Sequence, residues 1–162
     1  MFVCVLTVVF FKLVVFPNKY NGFVEIYSRR YGIEEELVFA IIKTESGFDK
    51  MAVSSSGALG LMQIVPSTAK WIAGELGEEF DEMKMFDPET NIEYGCFYLR
   101  YLFDKFNGFN EVVCAYNAGE GVVRNWLDED GFVVEEKIEY AETKNYLKKV
   151  KLFYNMYKCS IF

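Results

Sequence analysis

Glu45 ends an apolar helical run, in a place that suits an anion poorly. Ile33, Leu37, Ile41, Thr44 and Glu45 recur along one stripe of a helix. Glu34, Glu35 and Glu36 fall in its first turn, where acidic side chains complement the positive helix end. Gly47 supplies a stop. Glu45 then stands in the last turn, where the negative end of the helix dipole and partial burial both favour the neutral acid. A carboxyl held protonated near neutral pH is what a general acid needs. Taken alone, such a residue reads more simply as a helix-end glutamate whose stem packs while its head reaches water.

Other chemistries are removed by composition. The chain has no histidine, which excludes Ser-His and Cys-His nucleophile systems and every His-ligated metal site. Cys4, Cys96, Cys114 and Cys159 lack metal-ligand spacing; Cys96 and Cys114 sit in apolar helical patterns, as buried thiols do. The acids of Asp128-Glu129-Asp130-Gly131 lack the rest of a calcium loop and read as a solvated turn. No metal or cofactor is expected. A net charge of −7 argues against nucleic acid, whose binders present a basic face.

Glu45 keeps particular company. Glu45-Ser46 is followed by Gly57-Ala58-Leu59-Gly60-Leu61-Met62-Gln63, then Ala115-Tyr116-Asn117-Ala118-Gly119, then Glu142-Thr143 with Tyr146. Each fragment alone is weak. In this order and spacing they resemble the signature of the lytic transglycosylases, over roughly residues 20–150, and in particular the catalytic domain of the soluble members. The resemblance implies a lysozyme-like fold with a substrate groove, peptidoglycan glycan strands as partner, and a monomer. It also implies cleavage of the β-1,4 bond between N-acetylmuramic acid and N-acetylglucosamine, with formation of 1,6-anhydromuramoyl ends. Glu45 is carried over as the acid/base. Ser54 matches a serine near the catalytic region, with Ser55 and Ser56 close enough to blur the choice. Met62 and Gln63 match residues lining sugar subsites, Tyr116 and Asn117 residues contacting the reacting sugar, and Glu142 and Tyr146 groove residues near the last helix. Where the family more often shows Asn-Pro this chain has Asp49-Lys50, and it lacks a proline near Glu139; both departures bear on loop geometry. Two alternatives stay open: a hydrolytic muramidase of the goose-type lysozyme kind, and a glycan-binding module without catalysis. Retention of Glu45 counts against the second.

The elements that must position these residues are mostly helical. With 52% hydrophobic and 18% aromatic residues, 162 residues suffice for one domain with a sizeable core. A first amphipathic helix carries Phe23, Ile26, Tyr27 and Tyr31 and ends near Gly32. The helix of Glu45 follows, then a serine- and glycine-rich loop or minimal β-hairpin. Pro66 opens the next helix, with Trp71 and Ile72 expected inward. Asp87-Pro88-Glu89 reads as cap, first position and acidic first turn, ahead of a stripe through Ile92, Cys96, Leu99, Phe103 and Phe106. Asn110 is expected to cap a helix through Tyr116, and a short helix covers Gly121 to Leu127. The last helix starts near Tyr140 and puts Glu142 and Tyr146 one turn apart on one face.

The N-terminal stretch stands apart. Met1 to Phe16 is apolar except for Thr7 and Lys12. As a helix it would span about 24 Å, short of the roughly 30 Å hydrocarbon core. No small-residue cleavage site follows. The expectation is an uncleaved membrane anchor with Lys12 snorkelling, ahead of a catalytic domain over residues 17–162. Lys12, Lys19, Arg29 and Arg30 follow the apolar run, which opposes an N-inside orientation, whereas the implied substrate lies outside the cytoplasm.

Overall fold

The structure is a computed structural model that describes residues 19–106 and 108–160. The expected anchor, Met1 to Phe16, lies outside the described residues. Among those residues the α-helices are α1 (Asn21–Tyr31), α2 (Glu35–Glu45), α3 (Pro66–Leu76), α4 (Pro88–Lys105), α5 (Phe109–Ala118), α6 (Glu120–Val123) and α7 (Ala141–Ser160). Short 3₁₀ turns at Glu82–Phe86, Arg124–Trp126 and Glu135–Lys137 join them. Strand pairing among the described residues is limited to isolated bridges, two of them, Val53 to Leu59 and Leu59 to Ile64, in the loop after α2. The fold is predominantly helical, as the sequence pattern leads one to expect, and is the lysozyme-like one that the family resemblance implies. None of the described helices is long and apolar enough to cross a membrane.

Helix α2 forms the centre. Leu37 through Ile42 are all buried, so the helix is covered on every side and not along a single stripe. Its most extensive partner is α7. The two run antiparallel. At the start of α2, Glu34 accepts a hydrogen bond from the Tyr154 hydroxyl (2.6 Å) and pairs with Lys158 Nζ (2.9 Å). At its other end Glu45 meets Tyr146. Between these anchors Phe39 stacks on Tyr157 with ring centroids 5.2 Å apart.

The loop from Ser46 to Val65 is held by side chains more than by strand ladders. Ser46 Oγ donates to the Leu61 carbonyl (2.8 Å) and accepts from the Phe48 N–H (3.2 Å). Asn91, in the first turn of α4 and 1% exposed, uses three bonds to fix the far end of the loop. Its Oδ1 accepts from the Met62 N–H (2.7 Å), while Nδ2 donates to the carbonyls of Leu59 (3.0 Å) and Met85 (2.9 Å). Gly60 crosses directly over this hub at φ +75°, where a Cβ would lie 2.3 Å from the Met85 carbonyl oxygen and 2.4 Å from Asn91 Nδ2.

Helix α4 starts as expected, Asp87 Oδ2 accepting from the Thr90 N–H at 3.0 Å. Three expectations need correction, the first being Ile26 of the expected apolar face of α1, which is 52% exposed while Val24, Tyr27 and Ser28 form the buried side. Asn110 does not cap α5: the helix begins at Phe109 with Gly108 as its cap residue. Trp71 is not an inward residue, being 36% exposed, because Ala69, Ile72 and Ala73 already form the buried stripe of α3. Cys96 and Cys114 are buried free thiols, and burial pushes the Cys114 thiol up to about 12.

The Asn91 hub generates a stability prediction. Asn91→Ala strands the buried Met62 N–H and Met85 carbonyl, while the Leu59 carbonyl keeps its bond from the Ile64 N–H, so urea unfolding should show a loss of about 3 kcal/mol with an unchanged m-value. A change below about 0.5 kcal/mol would mean that the loop is held by something else.

Candidate active site

The side chain of Glu45 emerges from the end of α2 into a pocket of about 370 Å³, whose wall also includes Ser54, Gln63, Tyr116, Asn117 and Glu142. Residues far apart in the chain meet here because α2, the following loop, α5 and α7 converge. Tyr146, buried on α7, donates its hydroxyl to Glu45 Oε1 at 2.7 Å. That bond occupies one carboxyl oxygen and leaves Oε2 to carry a proton.

The proton is retained for a physical reason. Burial pushes the Glu45 carboxyl up to about 7. The Tyr146 hydrogen bond opposes this by favouring the anion, and the negative charge of Glu142 adds to the upward push. Tyr146 and Tyr116 are both driven well above the usual phenol range, by burial first and by the Glu45 charge second. Each therefore stays a hydroxyl donor across the pH range in which Glu45 titrates.

The remaining polar groups divide between support and display. Gln63 Nε2 donates to the carbonyls of Gly60 (2.8 Å) and Ala52 (3.1 Å), which turns its Oε1 into the free acceptor. Asn117 works the other way: its Oδ1 accepts from Thr143 Oγ (2.7 Å), leaving the NH₂ as donor. Ser54 Oγ accepts from the Ala58 N–H (2.9 Å) and lies 2.9 Å from Ser56 Oγ. Ser54 and Ser56 line the pocket while Ser55 is exposed outside that wall. A free amide acceptor, a free amide donor and several hydroxyls form a wall suited to N-acetyl and hydroxyl groups.

Two expected site residues do not line this pocket. Met62 has no exposed surface, and its sulfur packs so tightly on Gly95 that a Cβ there would lie 2.2 Å away. Its backbone serves instead: the N–H is held by Asn91 and the carbonyl accepts from the Tyr116 hydroxyl at 2.8 Å. Tyr146 stands behind Glu45 and touches the carboxyl, not the wall. Sequence reasoning passed over Tyr98 and Thr68, and quoted Thr143 in the signature without giving it a role. Tyr98 lines the pocket with its ring 5.4 Å from that of Tyr116, and lies off the buried stripe of Ile92, Cys96 and Leu99. Such an off-stripe aromatic is a legible signal. Buried Thr143 gives no such signal, because its role depends on Asn117 arriving from another helix.

Comparisons with known proteins place this geometry among relatives. Residues 23–139 match the family described as the transglycosylase SLT domain. The soluble lytic murein transglycosylase of Salmonella typhimurium is 36% identical over 151 residues, covering 88% of this chain and 23% of that protein. The chain thus spans about a quarter of the length of the curated relatives it matches. Among solved structures, an inactive mutant of the lytic transglycosylase Slt from Pseudomonas aeruginosa superposes with a TM-score of 0.85 at 30% identity, covering 93% of this chain and 25% of that one. The 70 kDa soluble lytic transglycosylase of Escherichia coli gives 0.81 at 33% identity, with 90% of this chain and 25% of that one covered.

A raised carboxyl has a signed effect on stability. Between the ordinary glutamate range and about 7, the folded chain keeps a proton that the unfolded chain gives up. Stability from this group is therefore full below that window and declines as pH rises through about 7. Glu45→Gln cannot charge, so its stability relative to wild type should rise from about pH 4.5 to about pH 8. Paired urea melts across that range read the difference. A flat difference, or a wild type that gains on the variant as pH rises, contradicts the raised carboxyl.

Proposed function

The chain belongs to the transglycosylase SLT domain family, and from that premise we propose that it is a peptidoglycan lytic transglycosylase with Glu45 as its single acid/base. The observation that carries this reading is the half-buried carboxyl at the pocket wall, held from behind by Tyr146 at 2.7 Å and pushed up to about 7 by desolvation. Glu45 gives its proton to the glycosidic oxygen, and the bond from C1 of N-acetylmuramic acid to that oxygen breaks. The carboxylate left behind accepts the proton of the sugar's own 6-hydroxyl as that oxygen bonds to C1. The proton returns to Glu45, and water enters no product. Tyr146, which favours the anion, steadies the carboxylate between the two transfers.

The other wall residues bind and position. The free amide ends of Gln63 and Asn117 meet the N-acetyl groups, Ser54 and Tyr116 meet the sugar ring, and Met62 acts through its carbonyl and the Tyr116 that it holds. Glu142, exposed at the rim, shapes the field without taking the proton. It also supports the second reading, a hydrolytic muramidase in which it would activate water. We also propose that the enzyme is extracytoplasmic and held at the membrane by Met1 to Phe16. Full-length protein released from membranes by salt alone would remove the anchor.

Mass spectrometry of fragments released from purified peptidoglycan tests the reaction. The expected ends are non-reducing 1,6-anhydro sugars, lighter by one water than hydrolysed ends; reducing muramic acid ends alone would assign the muramidase. Glu45→Gln should lower turnover by at least about 10²–10⁴-fold, and Glu142→Gln by less, each with wild-type circular dichroism. Equal, severe losses would point to two working carboxylates.

A further inference from the structure

Beside the pocket of Glu45 lies a second hollow of about 270 Å³, lined by Ser67, Thr68, Trp71, Tyr98, Tyr101 and Glu120. Thr68 and Tyr98 belong to both walls, so a ligand in one can continue into the other. We propose that this hollow is a remote saccharide subsite, in which Trp71 is the stacking platform for a sugar ring beyond the two joined by the scissile bond. The proposal rests on the glycan reading given above.

Three observations carry it. The first is an aromatic cluster built between α3 and α4. Trp71 sits 4.8 Å from the Tyr101 ring at 66° and 5.8 Å from Phe97 at 67°, and Tyr98 and Tyr101 are near parallel at 12°. The second is that the polar ends of Trp71 and Tyr101 are already used within the protein. Trp71 Nε1–H donates to Glu75 (3.2 Å) and the Tyr101 hydroxyl donates to Glu120 (3.0 Å). Such tethers fix ring orientation, while the indole stays 36% exposed. Trp71 is not needed to seal α3, whose Ala69, Ile72 and Ala73 are fully buried without it. A flat apolar surface is thus kept in water at the margin of a polar pocket.

The third observation is the chemistry of the rim. A pyranose has an apolar C–H face and a border of hydroxyls, which matches a flat ring beside the hydroxyls of Ser67 and Thr68 and the carboxylate of Glu120. Glu75 and Glu120 beside the rings disfavour an acidic peptide stem, although Lys105 Nζ stands 5.2 Å over the Tyr101 ring. A neutral N-acetylated sugar of the same strand satisfies the site better than the peptide borne on it.

The test uses peptide-free glycan strands of defined length. Trp71→Ala should lower kcat/KM on long strands about tenfold more than on the shortest strand cleaved, mainly through KM, and Trp71→Phe should recover most of the loss. Binding has its own readout, since Trp126 is 2% exposed and is the only other tryptophan. In full-length Glu45→Gln protein, a long strand should shield tryptophan fluorescence from acrylamide, and Trp71→Phe in that background should abolish the shielding signal. Losses equal at every strand length overturn the subsite, because the change then acts on the Glu45 pocket itself. Losses confined to peptide-bearing strands also overturn it, assigning the hollow to the stem peptide. If wild type cleaves no strand, the activity reading fails instead, and shielding by the same strand still decides whether the hollow binds sugar.

Discussion

The hydrogen bond from Tyr146 to Glu45 joins residues 101 positions apart at the point where α2 and α7 converge on the pocket. It sets one carboxyl oxygen, and the surrounding apolar mass sets the protonation of the other. Neither effect suffices alone. Burial without the tyrosine would leave a neutral acid free to rotate, and the tyrosine without burial would leave an ordinary carboxylate. Their opposition holds Glu45 at about 7, where it can both give and recover a proton.

The rest of the chain makes that placement rigid. Helix α2 can end in a half-buried acid because Leu37 through Ile42 anchor it in the core. The loop after it is shaped by Asn91, and Gly60 is required where the backbone passes over that amide. Met62 passes the constraint on, its N–H held by Asn91 and its carbonyl by Tyr116. Tyr116 is thereby fixed in the pocket wall and, through its neighbour Asn117, is followed by Thr143 on α7. Core packing and site geometry are one network here, which is why Met62 can matter to the site without meeting a ligand.

Much of this was legible in the sequence, for reasons that also mark the limits. Asp87 with Pro88 announces α4 because caps and prolines act locally. Glu45 could be singled out because helix end, apolar stripe and carboxyl coincide within a few turns. What periodicity cannot give is a partner. It placed Tyr146 on the face of Glu142, yet only the antiparallel packing of α2 and α7 turns it behind Glu45 instead of into the groove. Met62 looked like a lining residue until the absence of a side chain at Gly95 was seen to receive its sulfur. Trp71 looked like core because its size suggests burial, whereas the smaller Ala69 and Ala73 close the helix contact. Asn91 stands one residue before the apolar stripe that begins at Ile92, and its three bonds reach segments that no local pattern connects to it.

The central claim is that one carboxyl is kept neutral by its surroundings until it is used. Carbon-13 NMR of protein labelled at the glutamate side-chain carboxyl reads this directly, with Glu45→Gln identifying the resonance. The Glu45 signal should titrate with a midpoint of about 7, and Tyr146→Phe should move it higher by removing a bond that favours the anion. A Glu45 midpoint near 4.5, the ordinary value for a solvated glutamate, would contradict the account.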